Sequence, residues 1–171
     1  REITPLIAVF IDPRTDPSDP RTNTRMRDYA LNDSFVNDLI RGLRPLVARS
    51  YRVINDPAQT GIMGASLGGL IATYAAFTHP EVFGLCGAQS PSYQWKNDTL
   101  ITLIRDAPKR DFRIYLSTGT IRDAEKRARI MRDVMRRKGY TVTYAESPES
   151  HNWMAWRARI GELLRTFWGK R

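Results

Sequence analysis

Residues 64–68, Gly-Ala-Ser-Leu-Gly, constrain this 171-residue chain more than any other feature. An apolar stretch precedes them, and a run of small and apolar residues, 70–77, follows. The pattern G-x-S-x-G between a strand and a helix predicts a tight turn in which Ser66 has a strained backbone. Glycines two residues to either side let the strand and the helix approach closely. The hydroxyl of Ser66 is then exposed as a nucleophile, and the amide of Leu67 points toward the developing charge as an oxyanion donor.

Apolar runs and helical patterns alternate along the rest of the chain. Residues 6–11 form a continuous apolar run that predicts a strand buried on both faces, and residues 13–28 read as a long loop. Further strands are predicted at 59–64, 83–89, 113–117 and 140–144, and helices at 32–47, 70–77, 98–105, 123–138 and 153–168. The alternation predicts one α/β domain over residues 1–171, with a parallel sheet covered by helices on both faces. Functional groups in such sheets collect at the carboxyl ends of the strands.

The chain carries 27 basic and 18 acidic residues, which give a net charge of +9 and a pI near 10.1. Such a surplus favours anionic partners. Its densest part, residues 126–138, also has apolar residues at helical spacing, which indicates an amphipathic helix with a solvated basic face. Because no nucleic-acid-binding motif accompanies it, we do not expect nucleic acid as a partner.

The single cysteine, Cys86, excludes an internal disulfide and a zinc site built on a Cys/His cluster. Its apolar neighbours predict a buried thiol. No apolar run of about 18 residues occurs, so no membrane span is expected. The lack of disulfides is consistent with the cytoplasm. We expect no metal or organic cofactor, and the sequence carries no signal for oligomeric state.

Two histidines are available to activate the serine. His79 ends the helix that follows Ser66 and is expected at the opposite end of the sheet, as a helix-terminal residue. His151 lies in a short loop between the last strand and the last helix. A triad histidine occupies that place in the chain order Ser, Asp or Glu, His, so His151 is predicted to be the base.

The third triad member should be a carboxylate after the strand at residues 113–117, where it would hold the imidazole tautomer. Asp123 is the predicted acid. Glu125, Glu146 and Glu149 are rival carboxylates. A Ser–His dyad without a working acid is a further alternative.

These segments resemble the putative-esterase family of α/β-hydrolases, which includes enterochelin (ferric-enterobactin) esterases, feruloyl esterases, S-formylglutathione hydrolases and mycolyltransferases. The resemblance extends over nearly the whole chain. It is greatest to the enterochelin-esterase branch. The segments that carry this branch resemblance are the Arg-rich loop at 25–29, the Gly-Thr-Ile-Arg-Asp turn at 119–123 and the His-Asn-Trp sequence at 151–153.

The resemblance implies a Ser66–His151–Asp123 triad that hydrolyses esters through an acyl-enzyme. Residues implied to line the substrate site are Arg25, Arg27, Trp95 and Trp153. The implied substrate is a small-molecule ester, the trilactone of a catecholate siderophore, with an anionic ferric complex as one form. A feruloyl or acetyl ester of a polysaccharide is an alternative substrate. A non-catalytic binding protein on the esterase scaffold is an alternative function.

The chain departs from the family pattern in two places. Glu149-Ser150 stands where the family has glycines before its histidine. The family fold also has strands before the one expected at residues 6–11, and the second oxyanion donor lies in a loop after one of them. Since those segments are absent and the first residue is arginine, we expect an N-terminally incomplete domain.

Overall fold

The computed structural model describes residues 2–170, which form a four-stranded parallel sheet in the order β1-β2-β3-β4. The strands are β1 (Gly61–Ala65), β2 (Leu85–Gln89), β3 (Arg113–Gly119) and β4 (Val142–Ser147). Each strand pairs in register with the next, so all four carboxyl ends lie at one edge of the sheet. The active-site loops predicted from the sequence follow these ends.

Helices connect the strands, as the alternating pattern predicts. They are α1 (Arg25–Asp28), α2 (Asp33–Asp38), α3 (Arg44–Ser50), α4 (Leu67–Thr78), α5 (Thr99–Asp106), α6 (Glu125–Arg137) and α7 (Trp153–Trp168). A π-helical turn joins α2 to α3, so the helix expected from residue 32 is present but irregular. Short 3-10 turns occur at Pro20–Thr22 and Pro57–Gln59.

The two faces of the sheet carry different helices. Cys86 and Ile114, which are paired across β2 and β3, pack into one buried apolar cluster with side chains of α4, α5 and α6. The next residue of β2, Gly87, faces the other way and lies against Leu163 of α7. This alternation is the period of two that a pleated strand imposes. The predicted α/β architecture, with helices on both faces, is therefore confirmed.

The prediction of a strand at residues 6–11 is wrong. In the part of the chain that the structure describes, this segment pairs with none of the four strands. Phe10 is 93% exposed, and Val9 is also exposed. Just before this segment, Ile3 forms an isolated antiparallel bridge with Gly169, which follows α7. An apolar run has strand propensity, but a strand forms only where a neighbouring strand satisfies its backbone groups.

The helix ends predicted from neighbouring residues agree better with the structure. Asn32 caps α2 through its side chain, and Gly139 closes α6 with a φ of 78°. Cys86 is fully buried, as expected. None of the helices within residues 2–170 is long and apolar enough to cross a membrane.

Candidate active site

Ser66 occupies the turn between β1 and α4 with φ 58° and ψ −122°, a region that non-glycine residues rarely adopt. A side chain on Gly64 would place its Cβ 2.5 Å from the carbonyl carbon of Gly68, so the missing side chain of Gly64 lets strand and helix approach, whereas a Cβ on Gly68 would have nothing within 4 Å. The tight strand–turn–helix predicted from G-x-S-x-G is present. Its strain is held by the packing on either side of the turn.

The hydroxyl of Ser66 lies 3.3 Å from that of Ser92. The backbone of Ser66 is tied to the same segment, because its N–H donates to Gln89 and its carbonyl accepts from Ser92. Leu67 is the first residue of α4, where amides have no intrahelical acceptor. That N–H, at the positive end of the helix dipole, has the chemistry of an oxyanion donor.

His151 contacts Asp123 through its ring. Nδ1 of His151 lies 2.6 Å from Oδ1 of Asp123. Asp123 belongs to the loop between β3 and α6. The side chain of Asp123 has no exposed surface, whereas that of His151 is 39% exposed. A buried carboxylate on one nitrogen and open space near the ring are the arrangement that a general base requires.

Several donors converge on the other oxygen of Asp123. The hydroxyl of Ser90 donates to Oδ2 at 2.5 Å, and the amide of Gly119 donates at 2.6 Å. Burial raises the pKa of Asp123, but hydrogen bonds from Ser90, His151 and the amides of Gly119 and Ala124 outweigh it. The pKa of Asp123 therefore lies below its ordinary value, and the carboxylate is ionised beside the imidazole.

The rival carboxylates have other surroundings. Glu146 pairs with Arg129 and accepts the hydroxyl of Tyr144, and these contacts lower its pKa to about 2. Within residues 2–170, neither Glu125 nor Glu149 makes a hydrogen bond to His151. Asp123 is therefore the carboxylate that the fold brings to the imidazole.

The backbone after β3 is tightly packed against the histidine loop. A Cβ on Gly119 would overlap the carbonyl oxygen of Glu149 and would lie 2.9 Å from Oδ2 of Asp123. The amide of Ile121 donates to that same carbonyl of Glu149. The Glu149-Ser150 sequence therefore fits the loop. The glycine that the close contact requires is Gly119, on the opposite segment.

A cavity of about 460 Å³ opens beside the imidazole. It is lined by Ser90, Ser92, Gln94, Arg122, Asp123, Ala124, Glu125, Lys126, Arg127 and His151. Arg127 is held by an ion pair with Asp98. Arg122 and Lys126 form no ion pair within the described residues, and Arg122 has a positive φ of 51°. The cavity lining therefore includes two cations that can meet an anion, beside the carboxylates of Asp123 and Glu125.

The two arginines implied for the substrate site contact residues of their own segment. Arg25 lies over the ring of Tyr29, and Arg27 pairs with Asp28. Neither lines the cavity beside His151. The basic residues that line it are Arg122, in the loop before α6, and Lys126 and Arg127, at the start of α6. Lys126 and Arg127 belong to the segment predicted as a solvated basic face.

The two predicted aromatic residues differ in exposure. Trp95 packs against the apolar core, and its buried indole nitrogen has no hydrogen-bond partner among residues 2–170. Trp153 is 79% exposed at the start of α7 and meets Trp156 edge to face. Trp153 therefore offers an open aromatic surface two residues from the histidine.

Three residues around Asp123 were missed as site residues: Ser90, Gly119 and Trp156. Ser90 directly follows β2 and Gly119 ends β3, so their positions at strand carboxyl ends were a usable signal. Trp156 lies one turn into α7, and no local pattern distinguishes it from a core residue. His79 lies at the end of α4 with its ring beside Glu81, as expected for a structural histidine.

Ser66 is linked to residues 90–92 directly, and His151 is linked to them through Asp123. Ser66 contacts Ser92, and Asp123, which binds His151, contacts Ser90. Within residues 2–170, Ser66 and His151 are not hydrogen bonded to each other. Catalytic hydrogen bonds are often long before substrate binds, so the absence of a direct Ser66–His151 hydrogen bond is compatible with a serine–histidine pair. No group of three or more His, Cys, Asp or Glu side chains in the described range could hold a metal ion.

The family model described as "Putative esterase" matches residues 1–167. The chain belongs to this family. An iron(III) enterobactin esterase of Dickeya dadantii is 36% identical over 88 residues, which are 52% of this chain and 20% of that protein.

Solved structures agree on the fold. The enterochelin esterase of Shigella flexneri superposes with a TM-score of 0.81 at 23% identity, covering 90% of this chain and 41% of that one. A ferulic acid esterase of Anaeromyces mucronatus gives a TM-score of 0.70 at 19% identity, covering 91% and 59%. The chain thus spans less than two thirds of each of these proteins. The shared architecture is that of α/β-hydrolase esterases.

Proposed function

We propose that this protein hydrolyses carboxylic esters with Ser66 as nucleophile, His151 as base and Asp123 as the acid that orients it. The supporting observation is the short contact between His151 and the buried Asp123 at the carboxyl edge of the sheet, where the strained Ser66 turn also lies. Membership of an esterase family agrees with this chemistry.

The proposed reaction has two halves. Nε2 of His151 takes the proton of Ser66 as its oxygen attacks the ester carbonyl, and the imidazolium then protonates the departing alkoxide. The N–H of Leu67 stabilises the oxyanion of the tetrahedral intermediate. In the second half, His151 takes a proton from water, hydroxide attacks the acyl-enzyme, and Ser66 recovers its proton as the acid leaves. Asp123 stays ionised and stabilises the imidazolium throughout.

For substrate, we propose an anionic siderophore ester of the enterobactin type. Two relatives are named for enterobactin or enterochelin. The cavity beside His151 carries Arg122 and Lys126, which could meet catecholate oxygens. The exposed indole of Trp153 offers a stacking surface for an aromatic ring.

A ferulic acid ester is the second candidate substrate, because a ferulic acid esterase shares the fold. Comparing turnover of enterobactin, its ferric complex and methyl ferulate separates the two. Preference for methyl ferulate would replace the siderophore assignment.

The serine mechanism is tested by covalent labelling with a fluorophosphonate. Wild-type protein and the exposed-site control Ser50→Ala should be labelled at Ser66, whereas Ser66→Ala should not be labelled. A folded wild-type protein that resists labelling and turns over no ester would favour the non-catalytic binding protein.

A further inference from the structure

Ser90 sits at the centre of a hydrogen-bonded chain behind the proposed acid. It is the first residue after β2, it is 2% exposed, and its φ is 42°. Its hydroxyl donates to Oδ2 of Asp123 at 2.5 Å and accepts the indole N–H of Trp156 at 3.0 Å. Because a serine hydroxyl has one hydrogen, the donation from Trp156 directs that hydrogen to the carboxylate.

Trp156 reaches the base as well as the acid. Its ring lies edge to face with the imidazole of His151, with centroids 4.9 Å apart. Its carbonyl oxygen accepts from the side chain of Gln89 at 2.9 Å, which ties this turn of α7 to the end of β2. Asp123, His151, Trp156 and Ser90 therefore form a closed ring of contacts.

We propose that Ser90 and Trp156 are positioning residues that fix the Asp123 carboxylate and the His151 imidazole in their reactive geometry. Ser90 occupies one carboxylate oxygen so that the other faces Nδ1 of the histidine. The ring of Trp156 packs against the imidazole of His151, which is itself partly exposed, and limits its rotation. This inference rests on the proposed ester hydrolysis.

The backbone of Ser90 is consistent with a role beyond packing. A positive φ is costly for serine, and such strain persists where the surroundings hold the residue in place. The amide of Ser90 donates to Ser117 at 2.7 Å, which anchors the residue to β3. The strained conformation aims a hydroxyl, rather than an apolar group, at the buried carboxylate.

The test compares Ser90→Ala and Trp156→Phe with two matched controls. Trp156→Phe keeps an aromatic edge and removes the N–H. Trp168→Phe removes an indole N–H at the far end of the same helix, where it donates to Gln59. Thr73→Val removes a fully buried hydroxyl that contacts Tyr93 in the core.

Each site variant should lower kcat on p-nitrophenyl acetate about 10- to 100-fold with KM changed less than about threefold, since misplacement of a catalytic group acts on the chemical step. The double variant should lose less than the product of the two single effects, because both act through one network. The downfield proton resonance of the His151–Asp123 hydrogen bond should shift or broaden in both single variants. The controls should keep wild-type kcat and the wild-type resonance.

Wild-type kcat and an unchanged resonance in folded Ser90→Ala and Trp156→Phe would overturn the positioning role while leaving the hydrolase proposal intact. If the folded wild-type protein is not labelled by the fluorophosphonate, the proposed function itself is overturned. Ser90→Gly tolerates the positive φ, so it gives the same comparison if Ser90→Ala fails to fold.

Discussion

The imidazole of His151 meets the carboxylate of Asp123 at 2.6 Å, and that carboxylate has no contact with solvent. The two residues come from different loops, after β3 and after β4, which the parallel sheet brings to one edge. A buried anion bound to Nδ1 leaves Nε2 as the nitrogen available to a substrate or a nucleophile.

Asp123→Asn should reduce kcat about 10⁴-fold, because the amide stabilises the wrong imidazole tautomer. The steady-state rate on p-nitrophenyl acetate measures this. The control Asp133→Asn alters a partly buried ion pair with Arg132 on α6, away from His151, and should leave the rate unchanged. A fully active Asp123→Asn would return the role to a rival carboxylate or to a serine–histidine dyad.

Lowering the pH should remove the contribution of the Asp123 carboxylate to the free energy of unfolding. Its pKa in the folded protein lies below the ordinary value of 3.8, so its contribution is present above that pH and is lost as pH falls through the folded value. Urea unfolding between pH 7 and pH 3 measures this. The free-energy difference between wild type and Asp123→Asn should narrow below about pH 4. A difference that is constant or widens toward low pH would contradict the lowered pKa.

Gly119→Ala should damage both stability and activity. The new methyl group would overlap the carbonyl of Glu149 and crowd Asp123, so we expect a loss of about 1–3 kcal/mol in the free energy of unfolding. Gly42→Ala is the matched control, since nothing lies within 4 Å of the added Cβ. Equal melting temperatures for the two variants would mean that the histidine loop does not need this close approach.

Ser66→Gly should be more stable than Ser66→Ala, and both should be inactive. Glycine adopts φ 58° without strain, whereas alanine keeps the strain of the serine. The expected gap is about 1 kcal/mol in the free energy of unfolding, after the entropic cost of glycine. Thermal or urea denaturation checks the order, and a less stable glycine variant would contradict it.

Arg122→Ala and Lys126→Ala should raise KM for ferric enterobactin about tenfold each, because each removes a cation from the cavity wall. Neutral p-nitrophenyl acetate should show no such change. Arg136→Ala, an exposed cation near the end of the same helix, controls for net charge. Equal effects on both esters, or no effect on either, would remove these side chains from substrate recognition.

The sequence by itself determined the features that depend on neighbours along the chain. The Ser66 turn is predicted by the G-x-S-x-G pattern, in which Gly64 permits the close strand–helix approach, and α7 begins and ends where its pattern indicates. The order of strands and helices also predicted that His151 and Asp123 would share one edge, since parallel strands end together. The contact between their side chains agrees with that expectation, while their catalytic roles stay a prediction.

Only the tertiary structure decided the features that need partners distant in sequence. Residues 6–11 have the composition of a strand, yet no described strand pairs with them, so propensity alone did not form one. The hydrogen bonds of Ser90 with Asp123 and Trp156 join residues 33 and 66 positions apart. The cavity cations likewise come from one segment, with Arg122 in the loop before α6 and Lys126 and Arg127 at its start, because the packing of this segment against the sheet decides which cations reach the site.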